Sequence, residues 1–165
     1  MRGIDMSQIA KPKIERLAEE ELPITLSISL HAPTDELRSE IMPVNRKWNI
    51  ESLLTASVRY FEKTGRRISF EYTLIAGKND TQEEAAALVS VMRKYVGRRM
   101  PVHINLIPVN PIKERSFSAS DAENIRRFSE YLEQHGMTAT VRRTLGADIN
   151  ASCGQLRNRK NQQQD

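Results

Sequence analysis

The sequence predicts an α/β chain whose strands run mainly parallel beneath a layer of outer helices. Two observations predict it. Four short β-rich runs alternate with three longer stretches of helical period in the order β, α, β, α, β, α, β, and such alternation favours a parallel sheet joined by crossover helices. A further short helix, Lys11 to Glu21, precedes the first strand, so the chain opens in the middle of an α/β unit. The 165 residues suffice for one core but fall short of the ~250 of a complete barrel of this class, so about half a barrel is expected.

The first strand is expected over Ile24 to Ser29 (ITLSIS). A helix follows in which Ile50, Leu53, Leu54, Val58 and Phe61 share a face, with Gly65 as its stop. The second strand, Ile68 to Ile75, places Ile68, Phe70, Tyr72 and Leu74 on one side and Ser69, Glu71 and Thr73 on the other. Thr81 and Glu84 form a capping-box pair opening a helix with Ala85, Leu88, Val89, Met92 and Val96 along one stripe. The third strand is expected over Val102 to Ile107. Ser120 and Glu123 open the next helix, which carries Ile125, Phe128 and Leu132 and ends near Gly136; the fourth strand is expected over Thr138 to Arg143. Residues 1–157 are read as one unit and 158–165 as a polar, disordered tail.

Composition narrows the partners. Twenty-five basic residues against 21 acidic ones leave a net charge of +4, which permits an RNA partner without requiring one. No apolar run reaches the ~20 residues of a membrane helix, and the start has no signal-peptide core, so a cytoplasmic location with no membrane partner is expected. The single cysteine, Cys153, has no internal disulfide partner. No metal site is expected, because three histidines and one cysteine at unrelated spacings do not make one. His103 alternates with core positions and reads as a satisfied strand residue. His135 reads as a helix-end residue favoured by the helix dipole.

Three constellations can carry chemistry. Ser29-Leu30-His31-Ala32-Pro33 lies where a strand runs out into a loop, the place where parallel α/β folds bind ligands; it also fits a turn that caps the next helix. In Leu106-Ile107-Pro108-Val109-Asn110-Pro111 an asparagine held between prolines has little backbone freedom, so its amide can be aimed at a polar group. Cys153 is flanked by small residues and so open to close approach, although free cysteines are more often buried structural thiols.

Taken together, SLHAPTDELRSEIMPVNRKW, GRRISFEYTLIAGKND, VHINLIPVNP and VRRTLGADINASCGQLR resemble, in order and spacing, the carboxy-terminal portion of the RlmN/Cfr radical SAM methyltransferases, from Pro12 to Arg157. The resemblance implies a partial (β/α) barrel of radical SAM type. It implies methylation of an adenine C2 carbon in 23S rRNA and in tRNA, or of C8 in relatives of Cfr type. It places S-adenosylmethionine at Ser29, Leu30, His31 and Asn110 and makes Cys153 the methyl carrier, an S-methylcysteine. An aromatic C2 carbon is too poor a nucleophile to take a methyl cation itself, whereas a thiolate takes one readily. The family then activates that methyl with a radical generated at a [4Fe-4S] cluster.

The chain has no CxxxCxxC motif, and MRGIDMSQIAK departs from the family pattern. The cluster ligands, the second catalytic cysteine and an RNA-binding accessory domain are therefore expected on a missing amino-terminal half, without which the fragment is expected to be inactive. A retained RNA-binding fragment and a non-functional remnant are the alternative readings.

Overall fold

A computed structural model describes residues 4–5, 11–20, 22–109 and 118–142. Asn110, Cys153 and the polar tail lie outside the described residues.

Five parallel strands stand in sequence order: β1 (Ile4–Asp5), β2 (Leu26–Ser29), β3 (Ile68–Leu74), β4 (His103–Pro108) and β5 (Thr138–Val141). Sequential order with every neighbour parallel is the α/β arrangement of a barrel wall. The helices are α1 (Lys11–Glu19), α2 (Asp35–Ile41), α3 (Ile50–Thr64), α4 (Gln82–Tyr95) and α5 (Ala122–Gln134), with a 3-10 turn at Pro43–Arg46.

The alternation expected in β3 is realised. Ile68, Phe70, Tyr72 and Leu74 are buried between the less buried Ser69, Glu71 and Thr73. The buried set joins Leu26 and Ile28 of β2, Ile104 and Leu106 of β4, and the apolar stripes of α1, α3, α4 and α5 in one core. The Tyr72 and Phe128 rings meet at 5.2 Å. Each large apolar side chain buried there contributes about 1.5–3 kcal/mol. Helices thus cover one face of the sheet, and the other face is polar.

Local signals explain the helix ends. Asn49 caps α3, accepting from the Ser52 amide at 3.0 Å, and Gly65 ends it at φ +63°, a conformation that costs a side-chain-bearing residue about 1–2 kcal/mol. Thr81 caps α4, accepting from the Glu84 amide at 3.3 Å. The Glu84 Oε2 atom is buried without a hydrogen-bond partner among the described residues, and burial raises its carboxyl.

Three features depart from the sequence reading. The cap of α5 is Asp121, accepting from the Asn124 amide at 2.7 Å, because the Ser120 hydroxyl instead donates to the buried Asp80 carboxylate, also at 2.7 Å. Strand β1 pairs Ile4 with Leu26 and Asp5 with Ser27; two residues are too short a run to show a period. Helix α2 was also not foreseen, since DELRSEI has almost no apolar stripe and is held by polar contacts.

Candidate functional site at the carboxyl edge of the sheet

Because the strands are parallel, the carboxyl ends of β2, β3 and β4 form one edge. Ser29, Leu30 and His31 leave β2 there, and the amides of Leu30 and His31 both donate to the Glu71 carbonyl of β3, at 2.9 and 3.2 Å. His31 has φ +60°, strained for a residue with a side chain. Its Nδ1 accepts the Thr73 amide at 3.1 Å, so in the neutral ring the proton sits on Nε2. Leu30 points into the core and offers the site only backbone. Ser29 is buried, and its Oγ donates to Glu71 Oε2 at 3.5 Å.

Two buried side chains missed by the sequence reading hold this rim. Arg38 of α2 donates from Nε to the Leu30 carbonyl at 2.9 Å and from Nη2 to the Ser29 carbonyl at 3.0 Å. Its Nη1 reaches Asn45 Oδ1 at 2.7 Å and the Trp48 carbonyl at 3.2 Å. Desolvation lowers its pKa to about 10, opposed by Asp35, and leaves it a cation at neutral pH. Asn79 donates from Nδ2 to the carbonyls of His31 and Thr73, at 2.8 and 2.7 Å, and its Oδ1 accepts the Ile75 amide at 2.7 Å. The Tyr72 hydroxyl donates to the Asn79 carbonyl at 2.9 Å; burial first, then Glu84 and Asp80, raise its pKa and keep it a donor. The only sequence signal for Asn79 was the turn-forming pair Asn79-Asp80. Arg38 gave none, since a buried arginine is read from its partners.

The segment carrying Asn110 is tied to the same edge at both ends. Val109 donates to the Leu74 carbonyl at 3.3 Å as the chain leaves β4. On its return, Ala76 donates to the Ser118 carbonyl at 3.0 Å, Ala119 bridges Ile75, and Ser120 binds Asp80, whose Oδ1 accepts the Gly77 amide at 2.9 Å. After β5 the Arg142 amide donates to the Leu106 carbonyl at 2.8 Å.

Below the rim, the face of the sheet opposite the helices is polar. Ser29 pairs with Glu71, Glu71 with Asn105, and Asn105 with Thr140, a row across four strands. Nearer the amino ends, His103 Nδ1 lies 2.8 Å from Ser69 Oγ and Nε2 lies 3.1 Å from Thr140 Oγ1, so both ring nitrogens are partnered, as expected of a structural histidine. His135 ends α5, with Nδ1 donating to the Tyr131 carbonyl at 2.7 Å. Cavities of about 340 and 610 Å³ lie at the amino edge, lined by residues such as Arg67, Pro101 and Thr138 or Arg93, Arg98 and Gly136, remote from the rim.

The donor set fits a polar nucleoside-type ligand: a buried hydroxyl, an imidazole N–H of fixed tautomer and a carboxylate on one face. It does not fit an iron-sulfur cluster. Among the described residues no group of three or more His, Cys, Asp or Glu is placed to hold a metal, and the sequence has one cysteine.

A parallel sheet with outer helices is the fold that the solved neighbours share. A radical SAM methyltransferase from Sphaerobacter thermophilus superposes with a TM-score of 0.80 at 44% identity, over 88% of this chain and 41% of that one. A domain of a pyruvate-formate lyase-activating enzyme from Bacteroides vulgatus shares the fold, with a TM-score of 0.65 at 17% identity over 86% of this chain and 81% of that one. No protein-family model matches the sequence. Curated proteins named "Probable dual-specificity RNA methyltransferase RlmN" match it: that of Desulforamulus reducens is 48% identical over 148 residues, covering 90% of this chain and 41% of the relative. That of Symbiobacterium thermophilum is 51% identical over 149 residues, covering 90% and 39%. The chain is therefore related to the RlmN-type radical SAM methyltransferases and spans about two fifths of the length of the curated relatives it matches. Among the described residues no helix is long and apolar enough to cross a membrane.

Proposed function

We propose that this chain supplies the S-adenosylmethionine rim and the methyl-carrying thiol of a radical SAM RNA methyltransferase acting on adenine C2 in 23S rRNA and tRNA. The observation that carries the reading is the rim itself: Ser29 and His31, which the family resemblance assigns to the cofactor, stand at the carboxyl edge of a parallel sheet with their backbone clamped by Arg38 and Asn79. A polypeptide clamped on its rear side presents its front side at low entropic cost to a ligand.

Ser29 and His31 are the rim residues that the family resemblance assigns to the cofactor, and Asn110, next to Val109 in sequence, is the further one it assigns. S-Adenosylmethionine, when bound, supplies a methyl group on an electrophilic sulfonium. Cys153 is the nucleophile this chain offers to it: as a thiolate its sulfur forms the new S–CH3 bond, and the sulfonium sulfur keeps the pair of the bond that breaks. Arg142, Arg143 and Arg157 are the cations near it in sequence that favour the thiolate. The cluster ligands are absent from this sequence, so later chemistry on the methyl belongs to residues supplied elsewhere.

The test is to produce the chain beside a cluster-bearing amino-terminal half of a relative and to map methylation by peptide mass spectrometry. One methyl on Cys153, lost when the cluster ligands of the partner half are replaced, is the expected result. An unmodified thiol alongside an intact cluster would count against the reading.

A further inference from the structure

The amino edge of the sheet, opposite the rim, gathers cations that the proposed chemistry does not use. Helices α3, α4 and α5 end there, and the loops that follow them lead into β3, β4 and β5. Two cavities open between these loops. The smaller, about 340 Å³, is lined by Arg67 and His103 beside apolar Phe61 and Ile68. The larger, about 610 Å³, is lined by Arg93, Arg98 and His135 beside Met100 and Met137. Pro101 and Val102 line both, so the two cavities adjoin as one groove with an apolar stretch between its arginines. No acidic residue lines either one; Glu62 and Glu133, near these loops in sequence, are exposed on α3 and α5 and form no part of the walls.

Helix carboxyl ends attract cations for structural reasons, and two of the arginines are used in that way. Arg99 donates to the Tyr95 and Val96 carbonyls at the end of α4, and Arg93 reaches the His135 carbonyl at 3.5 Å. Arg67 and Arg98 are exposed, and among the described residues no salt bridge ties either of them to a carboxylate. We propose that this groove binds the sugar-phosphate backbone of RNA, with Arg67 and Arg98 each contacting a phosphate. The guanidinium fork matches phosphate oxygens two at a time, and the apolar stretch at Pro101 and Val102 suits the sugars that separate successive phosphates. The groove lies on the edge away from Ser29 and His31, so it holds substrate RNA at a point distant from the reacting base. The proposal rests on the reading of this chain as part of an RNA methyltransferase. That reading has its own test in the methylation of Cys153, which involves no RNA, so the two fail separately.

The experiment measures binding of a transfer RNA transcript to the full 165-residue chain by filter retention across about 50 to 200 mM salt. The double variant Arg67→Gln/Arg98→Gln is expected to bind about tenfold more weakly near the middle of that range. Its slope of log affinity against log salt should be shallower by roughly 0.7 to 0.9 for each arginine removed. Arg67→Lys/Arg98→Lys keeps both charges and should keep the slope, losing only about two- to threefold in affinity with the bidentate contacts. Arg126→Gln/Arg127→Gln removes the same net charge from the exposed surface of α5, where Glu123 and Glu130 already pair with these arginines, and is expected to stay within about twofold of wild type. Arg98→Gln alone serves should the double glutamine variant not fold. Unchanged affinity and slope in the glutamine variants, an equal loss in the α5 variant, or a wild-type chain that binds no RNA each overturns the assignment. Poly-glutamate that displaces the RNA as effectively as unlabelled RNA at equal charge would also overturn it, and would assign the groove to an acidic protein.

Discussion

Asn79 donates its side-chain amide to the carbonyl oxygen of His31 across 2.8 Å, joining residues 48 positions apart in sequence. The same nitrogen holds the Thr73 carbonyl and the Oδ1 atom takes the Ile75 amide, so one fully buried side chain fixes both the exit from β2 and the exit from β3. Asn79→Ala leaves two carbonyls and an amide without this partner and is expected to cost about 2–4 kcal/mol by urea denaturation. Asn79→Asp puts carboxylate oxygens against two carbonyl oxygens and should cost at least as much. A loss below about 0.5 kcal/mol for both would show that the clamp is not formed in solution.

Arg38 performs the matching task from α2. Its four hydrogen bonds are a planar fork in use at every arm, and a lysine cannot reproduce them. Arg38→Met is expected to destabilise the chain by about 3–5 kcal/mol, since the Ser29 and Leu30 carbonyls lose charge-assisted donors in a buried setting. Arg38→Lys should recover only part of that loss. The check is chemical denaturation of both variants, and a lysine variant as stable as the wild type would contradict the bidentate reading.

These two residues also mark where the sequence stopped being legible. The strands and the large helices could be read because their apolar residues repeat at the periods that burial imposes: Phe70 and Tyr72 in β3, Leu88 and Met92 in α4. The Ser29–His31 stretch could be placed at a strand end for the same reason. The clamp behind it could not, because a buried polar residue is defined by partners distant in the chain, and neither the period of DELRSEI nor the composition of GKND names them. Ser120 shows the reverse error: locally it is a good helix cap, but Asp80, 40 residues away in sequence, takes its hydroxyl, and Asp121 caps the helix instead.

The left-handed backbone of His31 offers a paired comparison. Both His31→Ala and His31→Gly remove the imidazole acceptor that the Thr73 amide uses, but only alanine keeps a Cβ at φ +60°. The glycine variant is therefore expected to be the more stable of the two by about 1 kcal/mol. Both should lose S-adenosylmethionine binding to the same extent if the ring is the ligand-facing group. Calorimetric melting and titration of the two proteins side by side give both numbers.

His103 predicts a pH dependence whose direction follows from its surroundings. Desolvation first, and the charge of Arg67 second, lower its pKa from the ordinary 6.5. The folded protein thus holds this ring neutral where the unfolded chain would protonate it. A base whose folded pKa is depressed contributes its stability in full above the unfolded value; that contribution is lost as pH falls below ~6.5 and through the lower folded value, because the unfolded state then binds the extra proton. The ring bridges Ser69 and Thr140 across three strands, so the lost stability is that of the β3–β4–β5 packing. Because the chain has two further histidines, the quantity to measure is the difference between wild type and His103→Gln in unfolding free energy from about pH 8 to pH 5. The wild type should lose more stability on acidification than the variant. Arg67→Gln, which removes the repelling charge but not the burial, should make that loss smaller, because raising the folded pKa toward 6.5 narrows the window between the two values. Parallel pH profiles for wild type and His103→Gln would mean the ring is solvated in solution and the strand-bridging contacts are not made.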